Sequence, residues 1–134
     1  MATSIFVNIP VADLDAAKAF FSELGFSFNA QFTDETAAAL VIDESIYFML
    51  LTKAKFSEFT RLPIADAKQA TQALYGISRD SRADVDKMVD AALAAGGTEP
   101  RPGQDHGFMY SRAFADLDGH IWEFIWMDPS FVQG

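Results

Sequence analysis

Residues 11–26 read VADLDAAKAFFSELGF, and this stretch predicts the first helix of the fold. Its apolar residues recur at intervals of three and four from Leu14 to Leu24, which is typical of an amphipathic helix. Asp13 can cap the start of this helix, and Gly25 stands where a glycine commonly ends one. Before the helix, the apolar run from Ile5 to Ile9 predicts a short strand.

Three more strands are predicted to follow this helix in the first half of the chain. They lie near Phe26–Phe32, Thr36–Ile42 and Ile46–Leu51, and turn-forming residues separate them. The first half of the chain therefore has the predicted order βαβββ.

The same order is predicted again in the second half of the chain. Ser81 is expected to cap a second helix, and the pair Gly96 and Gly97 is expected to end it. The strands of this half are predicted near Ala73–Ile77, Glu99–Arg101, Phe108–Ala115 and Ile121–Met127. Two copies of one βαβββ module indicate a domain built from a pair of modules.

We predict a single domain that covers residues 1–134. Module one takes up about residues 3–52 and module two about residues 70–128. Between them, about residues 53–69 have mixed charge and no sustained period, so we interpret them as a connector with one helical turn. At 134 residues the chain is long enough for one domain with a substantial core.

Composition and charge exclude several classes of function. A net charge of -9 disfavours binding to nucleic acid or to an anionic membrane, because both need a basic face. The absence of cysteine excludes a disulfide framework, a thiol nucleophile and thiolate metal ligands. No apolar run approaches the roughly 20 residues of a spanning helix, and the N-terminus lacks the pattern of a signal peptide. We therefore expect a globular, cytoplasmic protein.

The chain resembles the vicinal oxygen chelate superfamily, which contains glyoxalases, bleomycin-resistance proteins and extradiol dioxygenases. The resemblance rests on the two βαβββ modules, on V-x-D-L-x-x-A-x-x-F-F-x-x-L-G-F at residues 11–26 and on D-L-D-G-H-x-W-E-F at residues 116–124. It covers nearly the whole chain. It implies an α+β, glyoxalase-like fold, in which two tandem modules form a curled mixed sheet around a cleft and the helices lie outside.

In superfamily members with chemistry, four strands each supply a His or Glu to a metal ion in the cleft. The family's spacing before each helix places Phe6 and Leu74 at two of these positions. The family's ligand before a Leu late in the fourth strand corresponds to Met49, within one residue, and the segment Trp122-Glu123-Phe124 gives Glu123 as the fourth position. Phenylalanine and leucine cannot bind a metal, and a thioether is a poor ligand for these ions. We therefore expect no metal site and no cofactor.

Glu123 is then the charged residue of an apolar pocket, and we name it as the candidate catalytic residue. The charged form of a carboxylate is disfavoured beside apolar walls unless a cation or a hydrogen-bond donor compensates. Such a carboxyl could act as a general acid or base, or pair with a ligand's amine. In the alternative, Glu123 is structural and binds water, Arg101, Arg112 or a backbone amide. With Glu123 in the cleft, three aromatic residues of the same strand belong to the core: Trp122, Phe124 and Trp126.

A ligand in this pocket is expected to contact Phe6, Asn8, Met49, Leu74 and His106. Asn8 shares one face of its strand with Phe6. His106 precedes the seventh strand and could lean over the cleft, although a solvent-facing histidine is the more common case in such a loop. His120 lies three residues from Glu123, so we expect it to face the other side of the strand and to be structural.

These residues favour a metal-independent protein that is similar to the bleomycin-resistance type and binds a small apolar or aromatic molecule. A cationic group of that ligand would lie near Glu123. One alternative is a metal-dependent glyoxalase-like lyase or isomerase, or a dioxygenase relative, in which Glu123 moves a proton. Another alternative is an interaction module without a ligand. Because such folds commonly pair, we expect a homodimer.

Overall fold

The computed structural model describes residues 3–131, and its chain divides into two compact units between Ala65 and Asp66. Each unit has the order βαβββ and contains one four-stranded mixed sheet. The predicted α+β class and the two βαβββ modules are therefore confirmed. The boundary between the units lies within the predicted connector.

The first unit packs one helix on one sheet. Its strands are β1 Ile5–Val11, β2 Ser27–Asn29, β3 Ala37–Asp43 and β4 Ile46–Thr52. Their order in the sheet is β1-β4-β3-β2, with β1 parallel to β4 and the other pairs antiparallel. Helix α1, Leu14–Glu23, begins at Asp13, whose carboxylate accepts a hydrogen bond from the Ala16 backbone N–H at 3.0 Å. Phe20 and Phe21 of α1 are buried, as predicted.

The predicted connector contains a short helix, α2, Lys53–Phe56, followed by a 3-10 turn at Ser57–Phe59. The backbone N–H of Lys55 donates to the Thr52 hydroxyl, and this bond caps α2. The predicted helical turn is therefore present. Within residues 3–131, every helix is too short or too polar to cross a lipid bilayer.

The second unit repeats this arrangement. Its strands are β5 Leu74–Ser78, β6 Gln104–Asp105, β7 Met109–Ala115 and β8 Ile121–Met127, in the sheet order β5-β8-β7-β6. Helix α3, Arg82–Ala94, begins at the predicted cap Ser81, whose hydroxyl accepts from the Asp84 backbone N–H at 3.0 Å. The buried residues of α3 are Val85, Val89 and Ala92. Trp122 and Phe124 of β8 are fully buried, as predicted.

Two predicted strands were wrong in position. The first, Phe26–Phe32, ends at Asn29, because the Asn29 side chain accepts from the Gln31 backbone N–H at 3.0 Å and caps a 3-10 turn. The second was predicted at Glu99–Arg101, but β6 lies at Gln104–Asp105. Prolines on both sides of Arg101 explain this shift, since a proline has no N–H for a strand ladder.

The predicted core position of Trp126 was also wrong. This ring is half-buried, whereas Trp122 and Phe124 on the same strand are fully buried. The guanidinium of Arg82 lies over the Trp126 ring, 5.0 Å from its centroid. A charged group on the ring face needs contact with water, so Trp126 lies at the margin of the core.

The turn between β7 and β8 depends on the carboxylate of Asp116, which is 7% exposed. Its Oδ1 accepts from the backbone N–H groups of Asp118 at 2.9 Å and His120 at 3.0 Å, and its Oδ2 accepts from the Trp122 indole at 3.0 Å. Burial raises the pKa of Asp116, while His120 and the N–H groups of Trp122 and Asp118 act in the opposite direction. Gly119 completes the turn with a φ of 91°, which favours glycine.

We expect Asp116→Ala to lower the free energy of unfolding by about 3 kcal/mol or more, because a buried indole and two backbone N–H groups lose their acceptor. Asp13→Ala serves as the control, since it removes an exposed helix cap and should cost about 1 kcal/mol. Urea denaturation of both variants measures the difference. Equal losses would contradict a special role for Asp116.

Candidate functional site

In the first unit, Phe6, Asn8 and Met49 lie on one face of the sheet. Side chains alternate along β1, so that Ile9 and Val11 are buried while Phe6 and Asn8 are exposed. The parallel register places Asn8 beside Met49 on β4. The structure therefore brings together the three ligand-contact residues predicted in this half of the chain.

The exposed side chain of Phe6 stacks on Tyr47, a residue that the sequence analysis did not select. Phe6 is 52% exposed, and the two rings are nearly parallel, with centroids 5.1 Å apart and an interplanar angle of 8°. The Tyr47 hydroxyl donates to the backbone oxygen of Glu44 at 3.0 Å, which fixes the second ring. Phe6 and Tyr47 are register partners on adjacent strands, so the stack joins β1 and β4.

In the second unit, Glu123 and Leu74 lie on the sheet face that is turned away from Trp122 and Phe124. Leu74 is 56% exposed. Glu123 is partly buried, with 21% of its side chain exposed. The predicted orientation of β8, with Trp122 and Phe124 in the core and Glu123 on the opposite face, is thus the one observed.

Glu123 is paired with Arg101, one of the partners that the sequence analysis left open. Nη2 of Arg101 donates to Oε1 of Glu123 at 3.2 Å, and the Arg101 side chain is 28% exposed. A cation therefore compensates this carboxylate among its partly apolar neighbours. The other arginine considered, Arg112, binds three different carboxylates: Asp86, Asp90 and Glu99.

His106 lies in an exposed turn after β6. Its backbone N–H donates to the Met109 backbone oxygen at 2.8 Å, and its ring lies 6.5 Å from the ring of Phe108, centroid to centroid. This environment corresponds to the solvent-facing alternative. A contact between His106 and a ligand stays a prediction.

Arg82 stabilises the turn that contains His106, a role that the sequence did not predict. Its Nη1 and Nη2 donate to the two carboxylate oxygens of Asp105 at 2.6 and 2.9 Å, and Nη2 also donates to the Gly107 backbone oxygen at 2.8 Å. The hydrogen bond from Arg82 is the main reason that the pKa of Asp105 falls to about 2, and the Gly107 N–H adds to it. No short-range pattern reveals this pair, since 23 residues separate its members.

The four positions at which the resemblance implies metal ligands hold Phe6, Met49, Leu74 and Glu123. The first three side chains contain no nitrogen or oxygen, and the fourth is bound by Arg101. Across residues 3–131, no three His, Asp or Glu side chains come together in a group that could hold a metal ion.

Part of the chain matches a known family model. The family model described as "Bleomycin resistance protein-like N-terminal" matches residues 3–42. A search of curated proteins found no match.

Several solved structures have the same fold over nearly the whole chain. A hypothetical protein from S. aureus shares 22% identity at a TM-score of 0.78, with 93% of this chain and 94% of that chain covered. A glyoxalase/bleomycin resistance protein/dioxygenase family enzyme from Burkholderia phytofirmans PsJN shares 19% identity at a TM-score of 0.76, with 94% and 99% covered. A fosfomycin resistance protein from Listeria monocytogenes shares 16% identity at a TM-score of 0.67, with 97% of each chain covered.

The solved structures confirm the glyoxalase-like fold, and the family model agrees with the resemblance to the vicinal oxygen chelate superfamily over residues 3–42. Because each of these identities is below 25%, the likeness to these solved structures establishes the fold alone.

Replacing Arg82 should change how Asp105 titrates. The pKa of Asp105 is lowered from 3.8 to about 2, so its carboxylate stabilises the folded state above about pH 4, and this stabilisation is lost as the pH falls towards 2. We expect Arg82→Gln to return the Asp105 midpoint towards 3.8, as measured by carboxyl-carbon NMR. Arg61→Gln, at an exposed position of the other unit, should leave the midpoint unchanged. An unchanged midpoint in Arg82→Gln would contradict the assignment.

Proposed function

We propose that this protein binds a small apolar or aromatic molecule without a metal ion, on the fold shared by glyoxalases and bleomycin-resistance proteins. The observation that carries the proposal is the exposed stack of Phe6 on Tyr47. It stands where the resemblance implies the first metal ligand. A flat aromatic pair open to solvent suits the face of a planar ligand, because stacked rings gain about 0.5–1.5 kcal/mol beyond their buried area.

The residues at the four implied ligand positions do not fit a divalent metal ion. Such an ion needs several nitrogen or oxygen donors at bond distance. Phe6, Met49 and Leu74 supply none, and the carboxylate of Glu123 already binds Arg101. We therefore propose a degenerate metal site in which apolar side chains have replaced ligands.

In this proposal Glu123 contributes to binding and not to proton transfer. Its carboxylate is held by Arg101, and the two form a neutral pair on the second sheet. Leu74, on the same sheet face, adds an exposed apolar surface. Asn8 and Met49 extend the surface beside Phe6 in the first unit.

A thermal-shift screen with planar aromatic compounds tests the proposal. We expect at least one compound to raise the unfolding temperature, because a ligand that binds only the folded state stabilises it by about 2.7 kcal/mol at 100 times its Kd. Phe6→Ala should weaken that ligand about tenfold by loss of stacking and buried area. Phe59→Ala is the matched control, since Phe59 is an exposed phenylalanine, at 71%, outside both sheets.

Two results would overturn the proposal. Near-stoichiometric nickel, zinc, manganese or iron in protein purified without chelator, together with turnover that depends on this metal, would support the lyase, isomerase or dioxygenase alternative. A broad library without any thermal shift would support an interaction module.

We also propose that the chain forms a homodimer. Within the described sheets, β1 and β5 are edge strands, and they carry exposed apolar side chains at Ile5, Phe6 and Leu74. Edge strands with exposed apolar residues favour pairing with a second chain.

Sedimentation velocity should show a species of about twice the 14.7 kDa chain mass. Ile5→Lys should shift this species towards the monomer, because it places a charge on the β1 edge. Leu62→Lys, which changes an exposed leucine of the connector, should leave the dimer intact. A wild-type monomer throughout the micromolar range would rule out this assembly.

A further inference from the structure

We propose that Arg101 and Glu123, both in the second unit, form a polar binding site for a neutral group with adjacent hydrogen-bond acceptor and donor atoms, such as a primary or cyclic amide. This inference rests on the proposed function, because it names the polar chemistry that the aromatic or apolar ligand carries. Arg101 would donate to the acceptor of that group, and Glu123 would accept from its donor.

The ion pair leaves hydrogen-bonding capacity on both of its members. A guanidinium has five N–H groups. Arg101 donates one from Nη2 to Glu123 and one from Nη1 to the Pro102 backbone oxygen at 3.1 Å. Its three other N–H groups, and Oε2 of Glu123, have no partner within the described part of the chain. An amide offers one acceptor and one donor side by side, which matches these open positions.

A second ion pair in the same unit shows what a saturated arrangement looks like. Arg82 and Asp105 bind through two N–H groups and both carboxylate oxygens, at 2.6 and 2.9 Å. In this bidentate geometry both carboxylate oxygens of Asp105 are already bonded, so few hydrogen-bond positions remain for a ligand. The single contact between Arg101 and Glu123, at 3.2 Å, is longer and engages one oxygen only.

There is room beside Glu123 for such a group. Its partners on the neighbouring strands are Gly76 on β5 and Ala113 on β7, the two smallest residue types. Gly76 is exposed, and a Cβ atom built there would meet only the Ile125 side chain, at 3.6 Å. Two positions before Gly76, on the same face, Leu74 provides an apolar neighbour for the body of the ligand.

The charge of the pair favours a neutral ligand group over an ionised one. Arg101 and Glu123 are partly buried and together carry no net charge. An ammonium group of a ligand would come close to the Arg101 guanidinium, which has the same charge. A ligand carboxylate would compete with Glu123 for Arg101. In either case one partly buried charge would lack a counter-charge. A cationic group of the ligand was expected near Glu123 from the sequence. Because Arg101 already supplies a cation there, we expect a neutral ligand group instead.

Arg101 is also held in position before a ligand arrives. It lies between Pro100 and Pro102, whose rings fix the backbone φ angle on both sides. Its own Nη1 contact to the Pro102 oxygen restrains the side chain further. A donor group that is ordered in advance loses less entropy on binding.

Four probes with one aromatic ring test the proposal: benzamide, N,N-dimethylbenzamide, benzoate and benzylammonium. Titrations followed by proton–nitrogen NMR give each Kd and report on the Arg101 Nε–H and the Gly76 amide. We expect benzamide to bind about tenfold or more tightly than each of the others, because a lost hydrogen bond to a charged group costs about 1.5–3 kcal/mol. Its binding should shift both the Arg101 and the Gly76 signals.

Three variants and one control separate the polar contacts from the ring contacts. Glu123→Gln should remove the preference for benzamide over N,N-dimethylbenzamide, since only benzamide has N–H groups for Glu123. Arg101→Lys should weaken both amides, because it alters the donor to the carbonyl oxygen that they share. Gly76→Val should weaken benzamide by filling the space beside Glu123 while both charged residues stay in place, which keeps the test open if a charged-residue variant fails to fold. Glu58→Gln, in the exposed Lys55–Glu58 pair, is the control and should retain the preference.

The outcomes distinguish this inference from the proposed function. If benzoate or benzylammonium binds as tightly as benzamide, if the preference survives in Glu123→Gln, or if Arg101→Lys leaves the binding of both amides unchanged, the inference is overturned while aromatic binding stands. If none of the four probes binds and the library also gives no thermal shift, the proposed function fails and this inference fails with it.

Discussion

The carboxylate of Asp116 is the contact on which the second unit most depends. It accepts from two backbone N–H groups of the β7–β8 turn and from the Trp122 indole, so the turn and the first core residue of β8 share one anchor. Strand alternation then sets the direction of every later side chain on β8. Glu123 follows Trp122, and it must lie on the face turned away from the core.

In each unit, the sheet face opposite the core carries the side chains of the candidate site. In the first unit that face carries an aromatic stack, and in the second unit it carries an ion pair with small neighbours. Glu123 lies between the buried residues Trp122 and Phe124, so the backbone beneath it is held by core packing.

Much of this arrangement follows from local patterns. Intervals of three and four predicted α1 and α3, the apolar run from Ile5 to Ile9 predicted β1, and alternation predicted β8 at Ile121–Met127. The partner of Glu123 could not be chosen from the sequence, because Arg101 and Arg112 were equally available and only the path of the loop before β6 selects Arg101. The bonds of Arg82 and the ring of Tyr47 were missed for the same reason: each contact joins segments far apart in the chain.

The ion pair joins two parts of the fold that tolerate change very differently. Glu123 belongs to a strand with a fully buried residue on each side, whereas Arg101 lies in a loop outside the regular strands, between the Thr98–Ala115 bridge and β6. Loops accept substitutions and changes of length far more readily than central strands do. Evolution, or a protein engineer, could therefore exchange the cationic member for another residue and alter ligand preference in few steps, while the scaffold beneath stays as it is.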